Sequence, residues 1–265
     1  MKKEYKFIAI LFFGVILILF FKKVFEYFLN IIIDDKLLSD EIGNIISRAV
    51  LLICLLWVIL KYKFNKLDYF KFNFYNLRVI IIPVTILLVS IVNNIQVYSS
   101  VSASLLTTFG ISQILTGFVE EFLFRGLVFA LLVKALSKNK NGLRSAIIFS
   151  SVLFGLMHFI NYFKTPRFDM VISQVVFACC MGYFSCGLLL KTRNIYIIAL
   201  IHAAFNFAFG FNIEPETVLA DPKPASVISI LLTLLLYSSL VLAGHILSRQ
   251  ARKENDILQF EKIEI

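Results

Sequence analysis

Charge is scarce in this chain: only 16% of its 265 residues are Asp, Glu, Lys or Arg, against 59% that are hydrophobic. Soluble domains carry about a quarter charged residues. With a mean hydropathy of +0.86, this excess of apolar side chains does not fit inside a water-soluble core. Cysteine is also scarce. Cys54, Cys179, Cys180 and Cys186 all lie in apolar runs and show neither zinc-knuckle nor secreted-disulfide spacing, so they are read as small buried hydrophobes. No internal repeat, low-complexity tract or polar domain interrupts the chain. Without a soluble basic domain, the net charge of +9 does not point to nucleic acid. The start, Met1-Lys2-Lys3 followed by an apolar run, lacks a small-residue cleavage site at Phe20-Phe21-Lys22-Lys23 and is read as a retained first span.

What is present is a series of apolar segments of membrane-crossing length, which needs about 20 residues. Eight are expected, over 7–30, 45–60, 79–97, 110–133, 145–163, 170–190, 195–212 and 226–247. The fold class expected is therefore all-α: a polytopic transmembrane helical bundle, multi-pass in a cell membrane, with the lipid bilayer as a partner. Lys22 and Lys23 interrupt the first segment and are expected either to snorkel to the headgroups or to end a short span after Phe21.

Basic residues collect in alternate connections. One side holds 18, in the groups Lys2–Lys6, Lys61–Arg78, Lys134–Arg144, Lys191–Arg193 and Arg249–Lys262. The other holds four: Lys36, Lys164, Arg167 and Lys223. The positive-inside rule then places both termini in the cytoplasm. Within the stretch from Lys61 to Arg78, Phe64, Leu67, Phe70, Phe74 and Leu77 recur at near-helical spacing. The segment is expected as an interfacial amphipathic helix or a plain linker. Asp221-Pro222-Lys223-Pro224 predicts a turn before the last span.

Ionisable side chains in hydrocarbon are costly, by about 2.5–3.5 kcal/mol each on insertion scales. The fourth segment nevertheless contains Glu120, Glu121 and Arg125. Glu121 and Arg125 are four apart on one helix face and are expected to pair, which leaves Glu120, turned by about 100°, to face something else. A helix–helix salt bridge is the structural alternative. The chain has three histidines. His158 lies in the fifth segment; His202 lies in the seventh, one turn before Asn206 on the same face. His245, near the end of the last segment, is read as structural. Counting about 1.5 Å per residue puts Glu120 and His202 near the midplane and His158 about four residues toward the outer side. Polar groups at similar depth on three separate helices are hard to explain by packing.

In chain order these segments read Glu-Glu-x-x-x-Arg at Glu120–Arg125, Phe-x-x-x-His at Phe154–His158 and His-x-x-x-Asn at His202–Asn206. The set resembles the CPBP family, the CAAX proteases and bacteriocin-processing enzymes also called Abi, over about 105–212. The remainder divides into N-terminal spans with a basic segment, 1–104, and a last span with its tail, 213–265. The resemblance implies a glutamate-dependent intramembrane endopeptidase, a hydrolase with no cofactor and no metal. In it Glu120 and His158 activate a water, His202 and Asn206 stabilise the oxyanion, and Glu121 and Arg125 support the site. The implied partner is a membrane-associated peptide or protein, in bacteriocin or pheromone processing or in self-immunity, at a bacterial plasma membrane.

The chemistry stands beside the name, because amide hydrolysis needs a deprotonated water and donors aimed at the oxyanion. Three rival protease signatures are not expected here: His-Glu-x-x-His, Gly-x-Gly-Asp, and a Gly-x-Ser-x nucleophile elbow in an apolar helix. A cysteine nucleophile would need a histidine beside it. Three further alternatives remain: a zinc-dependent variant ligated by Glu120, Glu121, His158 and His202, a non-catalytic immunity protein, and a transporter, whose inverted repeats are not found.

Overall fold

A computed structural model describes residues 3–71, 76–163, 166–210 and 227–253. The described chain runs α1 (Lys3–Ile32), α2 (Lys36–Lys61), three short 3-10 turns (Phe64–Lys66, Asp68–Phe70 and Leu77–Ile80), α3 (Ile81–Asn93) and α4 (Ile95–Ser99). It continues through α5 (Ala103–Glu121), a π-helical stretch (Phe122–Phe129), α6 (Ala130–Leu136), α7 (Gly142–Met157) and a 3-10 segment (His158–Phe163). Helices α8 (Phe168–Thr192), α9 (Ile195–Gly210) and α10 (Val227–Lys253) complete it. No strand occurs among the described residues.

Helix starts are set by side chains that accept the orphan N–H groups of the first turn. Asp35 accepts from the Leu38 N–H at 3.1 Å, Ser102 from the Leu105 N–H at 3.2 Å, and Asn194 from the Ile197 N–H at 3.0 Å. Between α8 and α9, Arg193 turns left-handed at φ 50° and ends the helix.

Each of the eight expected apolar segments falls on helix among the described residues. Four helices are long and apolar enough to cross a membrane: Lys3–Leu29, Lys36–Lys61, Gly142–Phe163 and Phe168–Thr192. Arg78–Val92 and Ile195–Phe209 are apolar but shorter. The fourth expected span is the middle of a longer helical rod, α5–π–α6, which carries the charged motif. The third breaks at Asn94, between α3 and α4. Large apolar side chains such as Ile10, Phe13, Phe20, Ile53, Trp57 and Leu242 are exposed on the outer helices. Apolar surface this extensive belongs against lipid rather than water, and the chain is a multi-pass membrane protein. Cys54 is on that exposed surface rather than buried, and Cys186 is fully buried.

The π-helical stretch is the centre of the bundle, and all eight of its side chains are buried. Helices α7 and α8 pack together, as do α8 and α10, α5 and α9, α2 and α5, and α1 and α2. The segment after α2 is neither an interfacial helix nor a plain linker. Lys63 and Asn76 take left-handed backbone, at φ 60° and 53°, and this stops a helix from forming. The turns instead tuck Phe64, Leu67, Tyr69 and Phe70 into the core, each under 10% exposed. Phe74 and the turn at Asp221–Pro224 lie outside the described residues.

Candidate active site

Glu120 and Glu121 end α5 where the helix widens into the π-helical stretch. Their rotation about the helix separates their environments: the Glu121 side chain is 0% exposed and that of Glu120 is 28% exposed. Glu121 Oε1 lies 3.1 Å from Arg125 Nη1, the one-turn pairing expected from the spacing. The Arg125 guanidinium also sits over the Phe154 ring, 4.4 Å from its centroid. Burial of this pair is tolerable because each charge meets an opposite charge or a π face.

α9 delivers His202 to the same place. Its Nδ1 lies 2.7 Å from Glu121 Oε1 and its Nε2 lies 3.3 Å from Glu120 Oε2, so one buried imidazole spans both carboxylates. The close approach of α5 and α9 that allows this depends on Gly117. A Cβ there would collide with the Ala199 carbonyl oxygen and stand 2.9 Å from the Ala203 Cβ. Any side chain at that position would force the two helices apart just before the glutamates.

His158 is the first residue past α7. Its Nδ1 donates to the Phe154 carbonyl oxygen at 3.0 Å, because a carbonyl only accepts. In the neutral ring, Nε2 then carries the lone pair. Phe154 thus has three roles, through its carbonyl, its face toward Arg125, and edge contacts with His158 and His202 at ring separations of 5.0 and 5.7 Å. The neighbouring Gly155 brings α7 onto α8, since a Cβ there would collide with Cys179.

These side chains open on one cavity of about 530 Å³. Glu120, His158, His202 and Asn206 all line it, together with Gln113, Asn161 and Gln174. Glu121 and Arg125 stand behind the wall. Lys22 and Arg48 also line this cavity. Lys22 neither snorkels nor ends the helix: α1 continues to Ile32, and Lys22 is 8% exposed, with its Nζ donating to Asn44 Oδ1 at 2.5 Å. Both cations were legible only as ionisable residues inside apolar runs, a signal that applies to Arg48 as well.

Among the described residues, no group of three or more His, Cys, Asp or Glu side chains is arranged to hold a metal ion. A Gly-x-Ser-x string does occur, at Gly110–Gln113. Its Ser112 is 0% exposed and accepts from the Gln113 amide at 3.3 Å, so it offers no exposed nucleophile. His245 lies 3.4 Å from the Tyr183 hydroxyl, and their helices α8 and α10 pack against each other.

Residues 102–208 match the family model described as Rce1-like, type II CAAX prenyl endopeptidase. The CPBP resemblance is thereby shown over the segment that holds all three motifs. No curated protein and no solved structure matches the chain.

Proposed function

We propose that this multi-pass chain, whose residues 102–208 carry the Rce1-like CAAX endopeptidase core, is an intramembrane endopeptidase that cleaves membrane-associated peptides. The reading rests above all on one observation. A half-accessible carboxylate, Glu120, is held by a buried histidine at the wall of a cavity that His158 also lines.

In the proposed reaction, a water between Glu120 and His158 gives its proton to the Glu120 carboxylate while its oxygen attacks the scissile carbonyl carbon. The bare Nε2 of His158 orients that water by accepting its second hydrogen. The carbonyl π pair moves to oxygen, and the Asn206 amide donates to the oxyanion. Glu120 then passes the proton to the departing nitrogen as the C–N bond breaks, leaving an acid and an amine. His202 has both ring nitrogens engaged with carboxylates, so its part is to hold Glu120 in place, and oxyanion donation falls to Asn206. Glu121 and Arg125 fix the histidine in turn. The Glu121 carboxylate, paired with Arg125, accepts from Nδ1–H, and Nε2 attracts Glu120 as a donor when the ring carries both protons.

A site this deep suits a peptide that is itself membrane-associated, because such a peptide need not carry free polar backbone through lipid. A bacteriocin leader, a pheromone precursor or a membrane-protein tail has this character, at a bacterial plasma membrane. The test compares the membrane peptides of cells carrying the wild-type chain with those carrying Glu120→Gln. Amphipathic precursors are expected to accumulate with Glu120→Gln. Accumulation of soluble proteins alone would overturn the substrate class, and no difference at all would overturn the protease reading.

A further inference from the structure

Three carboxamides that take no part in the proposed reaction line the cavity: Gln113, Asn161 and Gln174. Chain direction places all three toward one end of it. Gln113 lies two turns before Glu120 in α5, and Asn161 lies one 3-10 turn past His158, on the same face. Gln174 falls in the first half of α8. Each is displaced from the reaction centre toward the end of the bundle away from the Lys134–Arg144 and Lys191–Arg193 connections. Two of these amides are joined. Asn161 Nδ2 donates to Gln174 Oε1 at 2.9 Å, which ties the segment after α7 to α8. A carboxamide has two N–H donors and one oxygen acceptor. The bond occupies one Asn161 hydrogen and the Gln174 oxygen, so the Asn161 oxygen and the Gln174 amide hydrogens remain for a ligand. The pair stands at a mouth: Gln174 and Phe177 also line a second, more open hollow, shared with Ser173 of α8 and Tyr237 of α10. One neutral hydrogen bond adds little to a bundle held by this much apolar packing. Polar side chains at the wall of an intramembrane cavity mark a binding path instead.

We propose that the Asn161–Gln174 pair is a main-chain clamp that holds the substrate extended beside the scissile bond. In an extended segment, the N–H and C=O of one residue are both available to an edge partner on the same side. The acceptor on Asn161 and the donor on Gln174 match those two groups, as an edge strand does for a peptide added to a sheet. In a helix the same groups bond within the segment, so a helical peptide offers the clamp nothing. The ligand class is an apolar peptide unwound over the residues next to the cleaved bond and recognised through its main chain. Its side chains then meet Phe177, Met181 and Phe205 on the cavity walls. The volume of about 530 Å³ has room for such a segment as well as the reacting carbonyl. The clamp rests on the protease reading for its purpose, but its binding is measurable without cleavage.

The test uses the full chain carrying Glu120→Gln in lipid nanodiscs, which keeps both amides and does not turn over. It is exposed to three pools of acetylated, amidated octapeptides built from Ala, Leu, Val and Phe in random order. The first has ordinary amide bonds, the second has every internal amide replaced by an ester, and the third carries α-aminoisobutyric acid at alternate positions to hold it helical. Retained peptides are quantified by mass spectrometry relative to empty nanodiscs, which corrects for partition into lipid. The first pool is expected to be enriched about fivefold over each of the others. The preference should vanish when Asn161→Leu is combined with Gln174→Met. It should survive at reduced strength in Gln174→Asn, which keeps a donor and an acceptor on a shorter arm. A melting curve on each variant ensures that only folded protein is compared. Equal retention of the amide and ester pools, retention of none above empty nanodiscs, stronger retention of the helical pool, or a preference that persists in the folded double variant overturns the clamp. Those outcomes leave the protease reading standing, because that reading is judged by cleavage. A clear preference, combined with no difference between the membrane peptides of wild-type and Glu120→Gln cells, would instead overturn the protease reading and leave the clamp.

Discussion

His202 has two ring nitrogens and meets two carboxylates with them, so a single imidazole ties the fate of Glu120 to that of Glu121. Glu120→Gln keeps the shape but removes the basic oxygen, and cleavage is expected to fall to background while protein levels stay normal. His158→Ala should do the same. Loss of an oxyanion donor costs about 10²–10³-fold in rate, so Asn206→Ala should retain detectable turnover in a discontinuous peptide assay. Arg125→Ala differs in kind: it strands the fully buried Glu121, a change that costs about 3–5 kcal/mol for a buried pair. Reduced membrane abundance by immunoblot is expected there, before any assay of activity. The separation of the two adjacent glutamates was legible in the sequence, because a 100° step on a helix is enough to send one side chain inward and the other to the cavity. The double contact of His202 was not. It depends on how α9 is rotated against α5, which no local pattern encodes. For the same reason Lys22 read as a headgroup residue: its inward direction is set by Asn44 on a neighbouring helix.

At the scale of elements, the π-helical stretch and the turns that follow α2 form one unit. A π turn widens the helix and leaves a carbonyl short of its ordinary partner, a feature common at functional sites. Here side chains accompany the change: Ser150 donates to the Phe124 carbonyl at 3.3 Å, and Tyr69 donates to the Gly126 carbonyl at 3.1 Å. Burial pushes the Tyr69 hydroxyl above its ordinary pKa, so it stays a donor at any physiological pH. Phe70 fits over Gly126, packs edge-on against Phe122 at 5.6 Å, and receives a bond from the Tyr196 hydroxyl at its carbonyl. Phe70→Ala is expected to cost about 3 kcal/mol through the void it leaves, read as a lower melting temperature in detergent. The near-helical spacing of Phe64, Leu67 and Phe70 was visible in the sequence, yet it described inward packing of turns rather than a helix on the membrane surface. Left-handed Lys63 and Asn76 carry no sequence mark strong enough to foretell that. A companion prediction concerns the α5–α9 contact: Gly117→Leu should abolish cleavage by separating Glu120 from His202. Gly14→Leu, at a position where nothing lies within 4 Å, should leave activity intact in the same assay.

For the whole molecule, the helix directions and the basic loops together give the cavity a side. The cavity touches α7 and the segment after it only at 154–161, α8 at 174–181 and α9 at 202–209. These lie at the end of α7, in the first half of α8 and in the second half of α9, all away from the Lys134–Arg144 and Lys191–Arg193 connections. If those basic connections are cytoplasmic, as positive-inside sorting requires, the cavity opens in the outer half of the membrane. Reporter fusions after Lys66, Lys140 and Gln250 should then all report the cytoplasm. Access is tested with single cysteines placed on a background in which Cys54, Cys179, Cys180 and Cys186 are replaced by alanine. In intact cells a membrane-impermeant maleimide is expected to label Asn161→Cys, which sits at the cavity, and to label Lys140→Cys only after permeabilisation. The reverse pattern would invert the molecule and bring substrates from the cytoplasm. The expected pattern would mean that a peptide reaches Glu120 after it has entered or crossed the bilayer.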